Sequence, residues 1–143
     1  MRPLLLAALV ALPLVAGCDT TRDPVACTLI GCSDALIVRV ATPGPPPDGR
    51  YVVRASGDVT RTCSFTLASA PTDTGDECRG VWIEDGVLMV TLEPVRGALR
   101  VEVQRDGAVV ARGSGVADYE PQYPNGVQCG AVCEIARVTV GGL

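Results

Sequence analysis

The sequence predicts an all-β fold, a single antiparallel β-sandwich stapled by disulfides, and three observations carry that prediction. Apolar residues alternate with polar ones in short runs beyond residue 33, the spacing that places them on one face of a strand. Turn-forming dipeptides separate these runs at intervals of about 8–12 residues, with no helical pattern between them. Cysteines account for 7 of the 143 residues; setting the first apart leaves an even set, as expected of disulfides in an exported chain. The length suits one domain.

The first element is a targeting segment. Residues 1–17 carry one positive charge at Arg2, the apolar run "LLLAALVALPLVAG" and a small-residue end, the three-part layout of a secretory signal peptide. The run is shorter than the roughly 20 residues a membrane helix needs, and Pro13 interrupts it. Val15, Ala16, Gly17 and Cys18 resemble the lipobox of bacterial lipoproteins. That resemblance implies a diacylglyceryl thioether on Cys18, cleavage just before it, and a further acyl chain, such as palmitate, on the new amino group. Several acyl chains on one residue suffice for stable anchoring. An ordinary cleavage site and an uncleaved segment stand as the alternatives. Asp19 resembles the retention signal of some inner-membrane lipoproteins, a rule that differs between lineages, so inner and outer membrane both stay open.

Residues 18–26 are then the lipidated cysteine and a polar tether, "DTTRDPVA", which reaches about 28 Å at most. The β domain occupies residues 27–143. Its first strand is "DALIVRVA" (34–41), in which Leu36, Val38 and Val40 share a face. The proline-rich "TPGPPPDG" (42–49) is a stiff connection. Strands follow at "RYVVRAS" (50–56) and "VTRTCSFTLA" (59–68), with Gly57-Asp58 between them. "SAPTDTGDE" (69–77) reads as a polar hairpin tip.

"GVWIE" (80–84) and "VLMVTLE" (87–93) are strands joined at Asp85-Gly86. In 97–113, Leu99, Val101 and Val103 alternate with Arg100, Glu102 and Gln104, and Asp106-Gly107 supplies a hairpin turn. "DYEPQYPNG" (118–126) is a turn-rich approach to the last cysteines, and "EIARVTV" (134–140) is the final strand. With aromatic residues at 3%, the core is aliphatic. Disulfides at about 2–4 kcal/mol each offset the reduced burial. The expected architecture is immunoglobulin-like in the loose sense.

Cys27, Cys32, Cys63, Cys78, Cys129 and Cys133 permit fifteen pairings, and sequence does not choose among them. Cys63–Cys78 is favoured because it closes a loop of ordinary length across a hairpin. Cys129 and Cys133 are too close in sequence to favour one another, so each is expected to reach Cys27 or Cys32.

Composition excludes much chemistry. With no histidine and no lysine, Ser-His-Asp, Cys-His, Ser-Lys and Schiff-base machinery cannot be assembled. No phosphate loop or nucleotide fingerprint is present, and no cofactor is expected. No Cys-x2-Cys pair suggests zinc or a thioredoxin-type site. Without residues 1–17, eleven arginines face sixteen acids, a net charge of −5. Arg39, Arg50, Arg54, Arg61, Arg100, Arg105 and Arg112 read as dispersed, which argues against nucleic acid as a partner.

Glu84, Asp85, Glu93 and Glu102 are the carboxylates that could serve a hydrolase, although a solvated strand face or turn explains each. Asp73, Asp76 and Glu77 could offer oxygens to calcium, but without the EF-hand spacing. Tyr119 and Tyr123, around Pro121 and Pro124, form a candidate contact patch.

The segments "CTLIGCSDALIVRV", "GRYVVRASGDVTRTCSF", "VEVQRDGAVVA" and "YPNGVQCGAVCEIARVTV" resemble a family of small, cysteine-containing, β-rich lipoproteins of GC-rich Gram-negative bacteria, a family with no established activity. The resemblance spans nearly all of the exported chain and implies an exported, disulfide-bonded lipoprotein. The expectation is a non-enzymatic binding, adhesion or structural module of the cell envelope, held at a membrane by Cys18, with its domain in the periplasm or at the cell surface. Its alternative is an accessory subunit or inhibitor of another envelope protein, and a carboxylate hydrolase comes third.

Overall fold

The computed structural model describes residues 31–68, 71–74, 78–130 and 133–142. Ten strands form in chain order: β1 (Ala35–Ala41), β2 (Gly49–Ser56), β3 (Thr60–Leu67), β4 (Pro71–Thr74), β5 (Cys78–Glu84), β6 (Val87–Leu92), β7 (Ala98–Arg105), β8 (Ala108–Val116), β9 (Tyr119–Gln122) and β10 (Cys133–Gly142). The fold is all-β; among the described residues the only helical turn is a 3-10 segment at Val127–Cys129.

Period-two alternation does form strands. Leu36, Val38 and Val40 of β1, Val53 and Ala55 of β2, and Leu99, Val101 and Val103 of β7 are all buried. The side chains between them face outward. Two turns use Asp-Gly with positive φ at both residues, Asp85-Gly86 (50° and 76°) and Asp106-Gly107 (50° and 83°). That backbone matches the twist of a tight hairpin.

The assembly differs from two facing antiparallel sheets. All ten strands belong to one sheet, ordered β4-β3-β2-β7-β8-β10-β1-β6-β5, with β9 pairing beside β10. One ladder is parallel, β1 with β10. The first and last strands share a direction, and no crossover is needed because the whole domain intervenes between them. The sheet curls until its two end strands approach one another, giving a nearly barrel-shaped wall around the aliphatic core. Two of the strands, β4 and β9, lie in segments the sequence reads as connections. Both are four residues long, too short for alternation to register.

The curl leaves a seam where β5 comes beside β3 and β4 without a ladder joining them. Cys63 on β3 and Cys78 on β5 form a disulfide across it. Glu93 ties the same ends together, accepting Arg61 of β3 at 3.1 Å and Arg79 of β5 at 2.9 Å. A second disulfide, Cys32–Cys133, pins the start of the parallel pair, where Asp34 also accepts the Glu134 amide at 2.8 Å. Cys129 is disulfide-bonded as well. Cys18 and Cys27, with the whole of the expected signal segment and tether, lie outside the described residues.

Candidate functional site

Inward burial of Val53, Ala55, Leu99, Val101 and Val103 forces the intervening residues of β2, β7 and β8 onto the outer wall. The register places them in two rows. Arg100 lies opposite Ser56 on one side and Ser114 on the other; Glu102 lies opposite Arg54 and Arg112. Opposed residues in an antiparallel ladder share a face, so these six side chains line one groove of about 790 Å³. Three of the seven arginines that read as dispersed in sequence, Arg54, Arg100 and Arg112, are gathered here by strand pairing.

The electrostatics are uneven. Glu102 is committed: its Oε2 accepts Arg112 Nε and Nη2, each at 3.0 Å, and its Oε1 accepts Gln104 Nε2 at 2.8 Å. The Gln104 hydrogen bond, followed by that of Arg112, holds the Glu102 carboxyl below the usual carboxylate range. Arg54 and Arg100 have no ion-pair partner among the described residues. The groove therefore carries three guanidinium groups against one carboxylate, a surplus of two positive charges on a chain whose net charge is −4. The charge of Arg54 also helps to lower the Glu102 carboxyl.

Beside the groove the wall opens. Strand β8 pairs with β10 only through Arg112↔Gly141 and Ala111↔Gly142. The pairing resumes on β9, at Tyr119↔Ala136. Between these anchors six residues on one side (113–118) face four on the other (137–140), so β8 bows away. The core-facing positions of the bowed stretch that belong to β8 are glycines, Gly113 opposite Val101 and Gly115 opposite Leu99, and Ala117 just beyond packs against the core. A Cβ on Gly113 would lie 2.7 Å from Val140 Cγ1, whereas one on Gly115 meets nothing within 4 Å. The result is a slot of about 200 Å³ walled by Leu99, Val101, Val138 and Val140. Groove and slot share Val101, Gly113 and Ser114, so they lie side by side.

Other candidates from the sequence fall elsewhere. Tyr119 is engaged in the fold: its hydroxyl donates to Val95 O at 3.1 Å and accepts from Val95 N at 2.9 Å. The Arg96 guanidinium lies 4.6 Å over its ring. Tyr123 remains exposed, so the two tyrosines do not form one free patch. In the proline-rich connection Pro46 is buried, and Pro47 O accepts the Tyr51 hydroxyl at 2.7 Å.

Glu84 and Asp85 sit at the β5–β6 turn, at the opposite end of that hairpin from Glu93. Glu102 lies on β7, committed to Arg112, so the four carboxylates are not assembled as a site. Asp73 belongs to β4, while Asp76 and Glu77 lie outside the described residues. Among the described residues no cluster of three metal-ligating side chains occurs, and no helix is long and apolar enough to cross a membrane.

No protein-family model, no curated protein and no solved structure matches this chain.

Proposed function

We propose that the chain is a cell-envelope lipoprotein, anchored through acyl chains on Cys18 after loss of residues 1–17, and that its β domain is a non-enzymatic binding module. The observation that carries the binding half is the groove over β2, β7 and β8. There Arg54 and Arg100, neither in an ion pair among the described residues, stand beside Ser56 and Ser114 on an otherwise acidic chain, an arrangement suited to an anionic ligand. The entry of the chain supports the anchoring half. Residues 31–34 lead into β1 at the end of the wall opposite the Asp85-Gly86 and Asp106-Gly107 turns. A short tether there would leave the groove on the flank, open to solvent or to the envelope surface. On this reading the chain resembles the small β-rich lipoproteins of GC-rich Gram-negative bacteria, and the two halves of the curled sheet act as the layers of a flattened, loosely immunoglobulin-like sandwich.

A second reading, accessory subunit or inhibitor of another envelope protein, is favoured by Trp82 and Ile83, which are exposed on the end strand β5 at 36% and 47%. An unpaired strand edge with apolar side chains is a template for a partner.

Intact-mass and non-reducing peptide mass spectrometry of the protein from its native membrane tests the anchor. The expected product begins at diacylated, N-acylated Cys18 and contains Cys27 bridged to Cys129. A product that begins elsewhere, or one without acyl mass, overturns the lipoprotein reading.

A further inference from the structure

We infer that groove and slot form one amphiphile site, which takes a single-chain lipid phosphate with its head between Arg54 and Arg100 and its tail between β8 and β10. This deepens the binding-module reading and rests on it.

The head follows from charge and donor count. Arg54 and Arg100 are diagonal neighbours across the β2–β7 ladder, roughly 7–8 Å apart at their base, so two long side chains can converge on one group. Ser56 and Ser114 flank Arg100 on either side and add hydroxyl donors. Arg112 is already neutralised by Glu102, which leaves two positive charges. A carboxylate would satisfy one of them. A phosphate monoester carries about −1.5 to −2 at neutral pH and three acceptor oxygens, and so matches both guanidinium groups and the hydroxyls.

The tail follows from the wall. The slot borders the groove at Val101, Gly113 and Ser114. Its wall combines the aliphatic Leu99, Val101, Val138 and Val140 with the hydroxyl-bearing Thr139 and Ser114, and Leu99, Val101 and Val140 are core residues. Within β8 both core-facing residues of the bow are glycine, so no β8 side chain blocks the way inward. At about 200 Å³ the slot is smaller than the roughly 300–1,000 Å³ of ordinary ligand cavities, which leaves room for one narrow chain and not two.

The test is isothermal titration calorimetry of the full chain, disulfides intact, with alkyl phosphates from ethyl to octyl below their micellar concentrations. Inorganic phosphate and the matching alcohols serve as reference probes. Each methylene that enters the slot is expected to tighten binding about fourfold, the equivalent of about 0.8 kcal/mol, until the slot is full. The alcohols, lacking the head, are expected to bind far more weakly. Replacing both arginines (Arg54→Ala with Arg100→Ala) should abolish alkyl phosphate binding. Gly115→Leu fills open space and should collapse the octyl-to-ethyl affinity ratio.

A flat series in the parent protein, alcohols matching the phosphates, or an unchanged ratio in Gly115→Leu each overturns the inference. The parent series decides the matter even where a variant fails to fold. Inorganic phosphate binding as tightly as octyl phosphate would discard the lipid and leave an anion-binding groove standing. No binding by any phosphate would remove the groove from the proposed function as well.

Discussion

The curled sheet fails to close its hydrogen-bonded wall in two places, and the two are treated in opposite ways. At the β5 seam the gap is crossed covalently by Cys63–Cys78 and electrostatically by Arg61, Glu93 and Arg79. Cys63 is fully buried there, so the staple is part of the core. At the β8–β10 gap no described cross-link spans the bowed residues, and the core-facing positions of β8 there carry glycine. An unpaired stretch of strand exposes amides and carbonyls that must find water or a partner. A seam needed only to enclose a core gains from being stitched shut, and a gap beside a cationic groove gains from staying open. On the proposed binding reading, the difference separates the structural side of the wall from the side that would receive a ligand.

The largest expected effect comes from cutting the stitched seam. Cys63–Cys78 closes a loop of 15 residues, for which loop entropy alone corresponds to about 3 kcal/mol. Cys63→Ala with Cys78→Ala should lose at least that in urea unfolding, because the variant also gives up buried sulfur. Unfolding at the parental urea concentration would show that the remaining wall holds the seam unaided, and the contrast between the two gaps would lose its energetic basis.

A smaller effect is expected at the open gap. At Gly113 a methyl group would press on Val140, whose branched side chain has little freedom to turn away. Gly113→Ala should cost about 1–3 kcal/mol by overpacking. It should also speed amide exchange in residues 137–142 while leaving β3 and β5 protected. Combining it with Val140→Ala removes the clashing methyl, so the double variant should be more stable than the sum of the single losses. Strict additivity would mean that the bow of β8 is not set by this contact.

How much of this could be read from the sequence differs between the two sides. The alternation in β1, β2 and β7 was legible because one buried face imposes period two. The Asp106-Gly107 turn was legible because few residues tolerate two successive positive φ angles. The groove was not legible, and the reason is one residue. Counting outward from that turn as a regular hairpin pairs Glu102 with Ala111 and leaves Arg112 opposite Val101, on the wrong face. The ladder slips between Val103 and Gln104, where Val110 is an extra residue. This bulge turns Arg112 and Ser114 to the side of Arg100 and Glu102. The convergence with Arg54 needs β2 beside β7, a contact between strands about fifty residues apart that alternation does not encode. The clearest local hint was "RGSG", residues 112–115, where glycines take two core-facing positions of a strand. Closure into one curled sheet was hidden for a similar reason, since the same alternation serves two facing sheets or one barrel wall.

The smallest expected effect is a difference in how the two sides respond to acid. The Arg79 hydrogen bond, with the charge of Arg61 next, holds the Glu93 carboxyl below its ordinary value of 4.5. At the open side Gln104 and Arg112 do the same for Glu102. A carboxyl with a depressed folded-state pKa contributes stability above its unfolded value and loses it as pH falls through the folded one. Both contributions are therefore present at neutral pH and fade below about pH 4.5. Both groups are exposed to solvent, so each effect is small and weakens in salt. Glu93→Gln should flatten the acid limb of a urea-midpoint profile between about pH 6 and pH 3, because the disulfide keeps the seam closed whatever the charge. Glu102→Gln should flatten it similarly. It should also free Arg112 as a third cation, strengthening inorganic phosphate binding at neutral pH, an effect Glu93→Gln should lack. An equal gain in both variants would assign the change to overall net charge and leave the groove without a local role.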